Sequence, residues 1–200
     1  VAQAAGPDDL VLALISGGGS ALMPLPVLPL TLDDKRVVNR LLLNSGLGIE
    51  EMNRVRRRLS RIKGGGLGRA AQPARLVTLA ISDIPGDDPA AIASGPTVPA
   101  LDGSVDLSGV VARLGPELPS EARAMLLAGE APAPDYEADV RLIATPQFSL
   151  EAAAAVARAA GVTPVLLGDA LEADALELGK VMAGIAASVR RHAAPAGAPA

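Results

Sequence analysis

Leu76-Val77-Thr78-Leu79-Ala80-Ile81-Ser82-Asp83-Ile84-Pro85-Gly86-Asp87-Asp88-Pro89 is the stretch on which the reading of the chain turns. A short apolar run that stops at a turn rich in Pro, Gly and Asp is a strand signal, and it places polar side chains directly beyond the strand's carboxyl end. Three other runs have the same form: Leu10–Ile15, Val140–Ala144 and Val165–Leu167. Four strands are expected.

Between these runs lie segments of helical spacing. Leu32–Leu43 has Thr31 as N-cap with Asp34 three residues on, and it closes near Gly46; Ile49–Leu59 follows. Leu150–Ala160, closed by Gly161, and Glu172–Arg191 complete the set. Strands alternating with helices imply right-handed βαβ units, so the expected fold class is α/β, a Rossmann-like mostly parallel sheet with helices on both faces. Sheets of this kind bind ligands beyond the carboxyl ends of their strands. Residues 1–192 are expected to form a single α/β domain. Within it, 97–139 reads as a Pro-rich surface excursion with one weak helical pattern at Glu121–Leu127, and 193–200 as a flexible tail.

Composition narrows the function. Half of the 200 residues are hydrophobic, yet there is one Phe, one Tyr and no Trp, so the core is built from Val, Leu, Ile and Ala, as in parallel sheets covered by helices. The absence of Cys removes disulfides, thiolate nucleophiles and cysteine metal sites. A net charge of −4 with almost no aromatic residues argues against a nucleic-acid partner. No stretch reaches the roughly 18 to 20 consecutive apolar residues of a membrane span, and no basic leader opens the chain. A soluble, cytoplasmic protein is expected. The start at Val1 and the Ala/Pro/Gly tail suggest a piece of something longer. The lone histidine, His192, sits next to that tail, so a Ser-His-Asp hydrolase has no histidine to use.

Three constellations carry chemistry. The first is Ser16-Gly17-Gly18-Gly19-Ser20, immediately after the Leu10–Ile15 strand. Contiguous glycines let backbone amides converge on an anion, so a phosphate nest is one reading and a flexible turn the other. Neither the Walker A spacing nor a dinucleotide fingerprint is present. The second is Asn53-Arg54-Val55-Arg56-Arg57-Arg58-Leu59-Ser60-Arg61-Ile62-Lys63-Gly64-Gly65-Gly66, a basic helix end entering a second glycine run. Arg suits bidentate clamping of a carboxylate or phosphate, and Lys suits point-charge neutralisation. Arg54, Arg57 and Arg61 read as a solvated basic face, whereas Lys63, set directly on the glycine run, reads as functional. The third is Asp83, Asp87 and Asp88, with Ser94 and Gly95 close behind. Three carboxylates in a Pro/Gly loop suit a hard cation such as Mg²⁺, or acceptance of a proton from a hydroxyl. The alternative is a capped turn, with Asp87 or Asp88 capping a helix near Pro89–Ala93.

In this order and spacing the constellations resemble the bacterial glycerate 2-kinase family, whose members are also known as hydroxypyruvate reductases. The resemblance rests on Ile15-Ser16-Gly17-Gly18-Gly19-Ser20-Ala21-Leu22, Thr31-Leu32-Asp33-Asp34-Lys35, Asn53-Arg54-Val55-Arg56, Ile62-Lys63-Gly64-Gly65, Thr78 to Pro89, and Ile92-Ala93-Ser94-Gly95-Pro96-Thr97. It continues weakly to Asp169. The resemblance implies two α/β domains with the active site in the cleft between them, of which this chain lacks the second. It also implies transfer of the γ-phosphoryl group of ATP, with Mg²⁺, to the 2-hydroxyl of D-glycerate, forming 2-phosphoglycerate. Carried over residue by residue, Lys63, Asp83 and Arg56 would be catalytic. Ser16, Gly17, Gly18, Gly19, Ser20, Gly64 and Gly65 would hold ATP; Asn53, Arg56, Ser94 and Gly95 would meet glycerate; and Asp83, Asp87 and Asp88 would hold the metal. The partner is thus a small molecule, with no nucleic acid and no membrane, and a homodimer is compatible with it. Departures from the family are Arg58, where relatives usually carry histidine, and Gly66-Leu67-Gly68-Arg69 after the second glycine pair. The competing readings are an NAD(P)H-dependent hydroxypyruvate reductase, for which no Gly-x-Gly-x-x-Gly follows a strand, and a non-catalytic metabolite-binding fragment.

Overall fold

A computed structural model describes residues 2–99, 105–129 and 136–192. They fall into two compact units, Val1–Ile143 and Ala144–Ala200, within the span expected to form a single domain.

The first unit holds the sheet. Strands β1 (Leu10–Ile15), β2 (Arg75–Ile81) and β3 (Asp139–Ala144) lie in the order β1-β2-β3. β1 and β2 are parallel and in register from Leu10 opposite Arg75 to Ile15 opposite Ala80. That register brings the residues after Ile15 and after Ile81 to one edge of the sheet, as a parallel pair must. Central β2 buries Leu76, Val77, Thr78 and Ala80, so side chains on both of its faces are covered, which explains why its sequence is continuously apolar rather than alternating. β1 buries Ala13 and Ile15 on one face and leaves Leu10, Leu12 and Leu14 exposed on the other.

Six helices accompany these strands: α1 (Gly19–Leu22), α2 (Leu32–Asn44), α3 (Ile49–Arg58), α4 (Gly66–Ala71), α5 (Ser108–Leu114) and α6 (Ser120–Leu127). The expected capping box opens α2: the Thr31 amide and hydroxyl both donate to Asp34 Oδ2 (2.8 and 2.6 Å), and the Asp34 amide donates back to Thr31 Oγ1 (3.1 Å). α3 places Glu50 and Glu51 in its first turn and Arg56, Arg57 and Arg58 in its last, the arrangement the helix dipole favours.

The stretch 97–139 is not the surface excursion expected from its prolines. Its described part contributes Leu107, Val110, Val111, Leu114, Leu118, Ala122 and Leu126 to a core shared with Leu30, Val38, Leu42, Val55 and Leu59. Val110 and Leu114 lie four residues apart on α5, as Ala122 and Leu126 do on α6, the interval that keeps one face of each helix turned inward, and Leu118 is buried in the turn between them. Pro116 and Pro119 lie between α5 and α6, where no helical amide is needed, so the prolines mark the turn between two core helices.

The second unit contains α7 (Pro146–Ala159) and α8 (Ala175–His192). α7 starts four residues before the expected Leu150: Thr145 Oγ1 accepts from the Phe148 amide (3.3 Å), and Pro146 occupies the first turn, where its missing N–H costs nothing. Val165–Leu167 is irregular rather than a strand; three residues between Pro164 and Gly168 find no ladder partner among the described residues. The expected tail, 193–200, lies outside the described residues. Among the described residues no helix is long and apolar enough to cross a membrane.

Candidate active site

Beyond Ile15 the chain makes a tight turn, with Gly18 at φ 81° as the N-cap of the single-turn helix α1. Asp83, just beyond the neighbouring strand, lies against this turn so closely that a Cβ at Gly17 would collide with its carboxylate. A Cβ at Gly19 would stand 2.6 Å from that of Ala93. Ser16, Gly17 and Gly18 are exposed, and among the described residues the amides of Gly17, Gly18 and Gly19 meet no acceptor. The first glycine run therefore offers open donors beside an exposed carboxylate.

The second glycine run is built for a different purpose. Ala93, Ser94 and Gly95 all have left-handed backbones (φ 53°, 65° and 60°), a conformation that costs a non-glycine residue about 1–3 kcal/mol. It is held by Gly64 N–H donating to the Ser94 carbonyl (3.0 Å), Gly65 N–H to Gly95 (2.7 Å), and the Leu67 and Gly68 amides to Pro96 (3.0 and 3.2 Å). Gly64 and Gly65 thus commit their amides to the protein, and the expectation that they cradle phosphate is corrected. Ser94, expected at the substrate, is fully buried, and its hydroxyl is 2.8 Å from that of Ser20. Gly95, likewise expected at the substrate, is buried too and serves the junction. Thr78 donates to Thr97 across 2.8 Å and fastens the same turn to β2.

Ser20 joins the two runs. Besides its contact with Ser94, its carbonyl accepts from Lys63 Nζ at 2.7 Å. Lys63 is 5% exposed and opens with Arg56 and Lys35 into a cavity of about 370 Å³. Ser20, Asn39, Leu32 and Leu42 also line it, and Arg36 stands at the wall, ion-paired to Asp33 at 2.6 Å. No acidic side chain is among the lining residues. Burial, then the nearby Arg56 charge, pushes the Lys63 ammonium down to about 8. Burial, then Lys63 and Arg56, lowers Lys35 likewise to about 8. Burial also lowers Arg56. Such a cavity is electrostatically incomplete, and an entering oxyanion would relieve it.

Arg56 is held from two sides. Its Nη1 donates to Asn53 Oδ1 (3.2 Å) and its Nη2 to Asn39 Oδ1 (3.1 Å), so Asn53 orients Arg56. Arg61 is exposed, in keeping with a solvated role. The three acids divide. Asp83 is exposed against Gly17; Asp87 has φ 55° and a buried Oδ1 with no partner; Asp88 Oδ1 accepts from the Ala90 amide (2.9 Å), capping the turn. Among the described residues no three of His, Cys, Asp and Glu gather as a metal-holding group. His192 is exposed at the end of α8.

Residues 1–127 match the family model described as "Domain of unknown function (DUF4147)". The chain belongs to this family. The chain is 57% identical over 200 residues to a protein of Agrobacterium vitis named "Putative hydroxypyruvate reductase", covering 99% of this chain and 46% of that protein. It is 50% identical over 108 residues to the human protein named "Glycerate kinase", covering 54% of this chain and 21% of that one. A crystal structure of glycerate kinase from Thermotoga maritima superposes with a TM-score of 0.79 at 33% identity, over 95% of this chain and 46% of that chain. A Pyrococcus horikoshii protein of known structure gives 0.69 at 32% identity, over 97% and 47%. The chain spans about half the length, or less, of the relatives it matches. Both names that the resemblance brought in thus recur among the proteins this chain is similar to, and the α/β fold is shared with the glycerate kinase structure.

Sequence reasoning missed two residues of this candidate site. Lys35 entered only as part of a motif, and Asn39 not at all. The available signal was their spacing of four on α2, which puts both on the face that adjoins buried Val38 and Leu42.

Proposed function

We propose that this chain forms one wall of an ATP-dependent glycerate kinase site, in which the γ-phosphoryl group passes to the 2-hydroxyl of D-glycerate and 2-phosphoglycerate is formed. One observation carries the reading: Lys63 meets Ser20, and Asp83 meets Gly17, so cations, open amides and a carboxylate share one edge of the sheet.

Phosphoryl transfer asks a protein mainly to position reactants and neutralise charge. The amides of Gly17, Gly18 and Gly19, which meet no acceptor among the described residues, suit phosphate oxygens, with Ser16 beside them. Lys63 and Arg56 balance the charge spread over the transferred group and the substrate carboxylate. Asp83 orients the 2-hydroxyl and takes its proton as the new P–O bond forms and the bond to ADP breaks. The orphaned Oδ1 of Asp87, with Asp83 beyond the same strand, is the part of the acid cluster that fits Mg²⁺. A bound Mg²⁺ supplies neutralisation of the phosphate charges. Asp88 serves as a cap.

The test is to incubate the protein with ATP, Mg²⁺ and D-glycerate and follow ADP release and the ³¹P spectrum of the product. Formation of 2-phosphoglycerate, with kcat at least 100-fold lower in Asp83→Asn, is the expected result. Oxidation of NADH by hydroxypyruvate without ADP release would move the function to the reductase whose name two of the relatives carry. Binding of D-glycerate without turnover of any kind would leave a metabolite-binding module.

A further inference from the structure

α2 presents to the cavity two residues that the proposed chemistry does not yet use. Lys35 and Asn39 stand four positions apart, one turn of the helix, and both line the cavity into which Arg56 and Lys63 open. The rotation of α2 that brings them there is fixed from below, because Val38 and Leu42 are 2% and 1% exposed in the core. Neither cavity residue is therefore free to turn away without unpacking the helix.

The partners of Arg56 are unusual in their charge. A guanidinium held on two sides commonly meets carboxylates, which bind it tightly and cancel its charge. Here both acceptors are carboxamides, Asn53 at 3.2 Å and Asn39 at 3.1 Å. Two of the five N–H groups are used for orientation, and the remaining donors keep a full positive charge behind them. Lys35 adds a second cation and Lys63 a third; Arg36, the fourth in the lining, is paired to Asp33, and no acid is in the lining itself. Arg56, Lys35 and Lys63, the three of these cations that meet no acid among the described residues, repel one another, and what satisfies them is an oxyanion with more than one acceptor atom.

We propose that Lys35 binds the oxyanion of the substrate directly, and that Asn39 is a positioning residue which, with Asn53, aims Arg56 at the same oxyanion through neutral acceptors that leave its charge intact. The inference rests on reading the cavity as an anion site, and it extends that site to α2. The oxyanion is a carboxylate or a phosphate, two sources with the same acceptor chemistry, and the experiment separates them.

The test is calorimetric titration of the protein with D-glycerate and, separately, with ATP and Mg²⁺, using the unaltered chain, Lys35→Met, Asn39→Asp and Asn39→Ser. Asn39 is exposed, so its variants are expected to melt within a few degrees of the unaltered chain. Asn39→Asp keeps an acceptor for Arg56 while adding a negative charge. It should weaken one of the two ligands at least tenfold, and Lys35→Met should weaken the same ligand by a similar factor; the ligand affected names the source. Asn39→Ser, neutral and shorter, should lose less affinity than Asn39→Asp. A purely structural Asn39 would give the opposite order, with Asn39→Asp harmless. Binding of both ligands within twofold of the unaltered chain by Lys35→Met and Asn39→Asp overturns the proposal, as does an unaltered chain that binds neither. Loss of binding in these variants without any ATP-dependent phosphorylation by the unaltered chain would sink the kinase reading and leave this inference standing.

Discussion

Lys63 Nζ donates to the main-chain carbonyl of Ser20 across 2.7 Å, so the cation of one glycine run is fastened to the end of the other. A backbone carbonyl orients an ammonium without neutralising it. Lys63→Met retains most of the apolar stem and deletes the charge. On the proposed kinase reading, ATP-dependent phosphorylation of D-glycerate should fall about 100-fold or more, as for removal of one preorganised charge at a reacting group. A steady-state assay that finds kcat/KM within threefold would remove Lys63 from the site.

The pH response follows from the same burial. In the folded chain Lys63 and Lys35 each drop from 10.5 to about 8. Below pH 8 both are protonated, folded or unfolded, and the cost of burying the charge is fully present. Between 8 and 10.5 the unfolded chain holds protons that the folded chain has released, so these two groups make folding more favourable as pH rises through that window. Oxyanion affinity moves the other way, falling by about tenfold per pH unit above 8 for each lysine that must be charged. Calorimetry at pH 7 and 9, with Lys63→Met and Lys35→Met as references, checks both trends. Affinity that does not change with pH would refute the role given to the lysines.

Gly17→Ala separates geometry from stability. The backbone of Gly17 is not left-handed, so alanine strains nothing locally. Its Cβ would push away the exposed Asp83 carboxylate, the flexible end of a side chain. The melting temperature should change by no more than a few degrees while kcat falls about 100-fold, the usual consequence of misplacing a reacting group by an ångström. A parallel loss of stability would mean the turn, rather than Asp83, bears the clash.

How far such features are visible in a sequence depends on the distance between partners. The Thr31–Asp34 capping box was legible because both groups lie within one turn of α2, and β1 and β2 were legible because burial on a sheet leaves short apolar runs. The edge that gathers Ser20, Lys63 and Asp83 could be anticipated from glycines and charges next to strand ends. Gly64 and Gly65 could not be judged that way, because the carbonyls that occupy their amides belong to Ser94 and Gly95, thirty residues away, and only the folded chain says which glycine run stays open. Asn39 was invisible for a related reason: an asparagine on an exposed helix face has no signature until Arg56 arrives from α3.

Ser94 offers a test of that junction. Its left-handed backbone costs about 1 kcal/mol or more, and its hydroxyl contributes a hydrogen bond to Ser20 worth about 1 kcal/mol. Ser94→Ala keeps the strain and loses the bond, so stability should drop by about 1–2 kcal/mol. Ser94→Gly loses the bond but relieves the strain and should be nearly neutral. Chemical denaturation resolves the two, and an alanine variant as stable as the glycine variant would show that the left-handed backbone is not what Ser94 sustains.

Leu126 tests whether 97–139 is decoration or core. It is 1% exposed and packs in the cluster that includes Val55 and Leu59 of α3 and its C-cap, the helix that carries Arg56. Truncating a leucine so buried costs about 2–5 kcal/mol, depending on how far the surroundings collapse into the cavity. Leu126→Ala should therefore lower stability by that amount, whereas a leucine in a surface excursion would tolerate the change within about 0.5 kcal/mol. The Arg58 guanidinium donates to the Leu126 carbonyl at 3.3 Å, so the end of α6 is tied to the end of α3 by a side-chain hydrogen bond as well as by packing. Loosening it should raise KM for the acidic substrate at temperatures well below the melting point, because the helix that presents Arg56 loses its support. Unchanged stability and unchanged KM in Leu126→Ala would contradict the placement of α6 in this core.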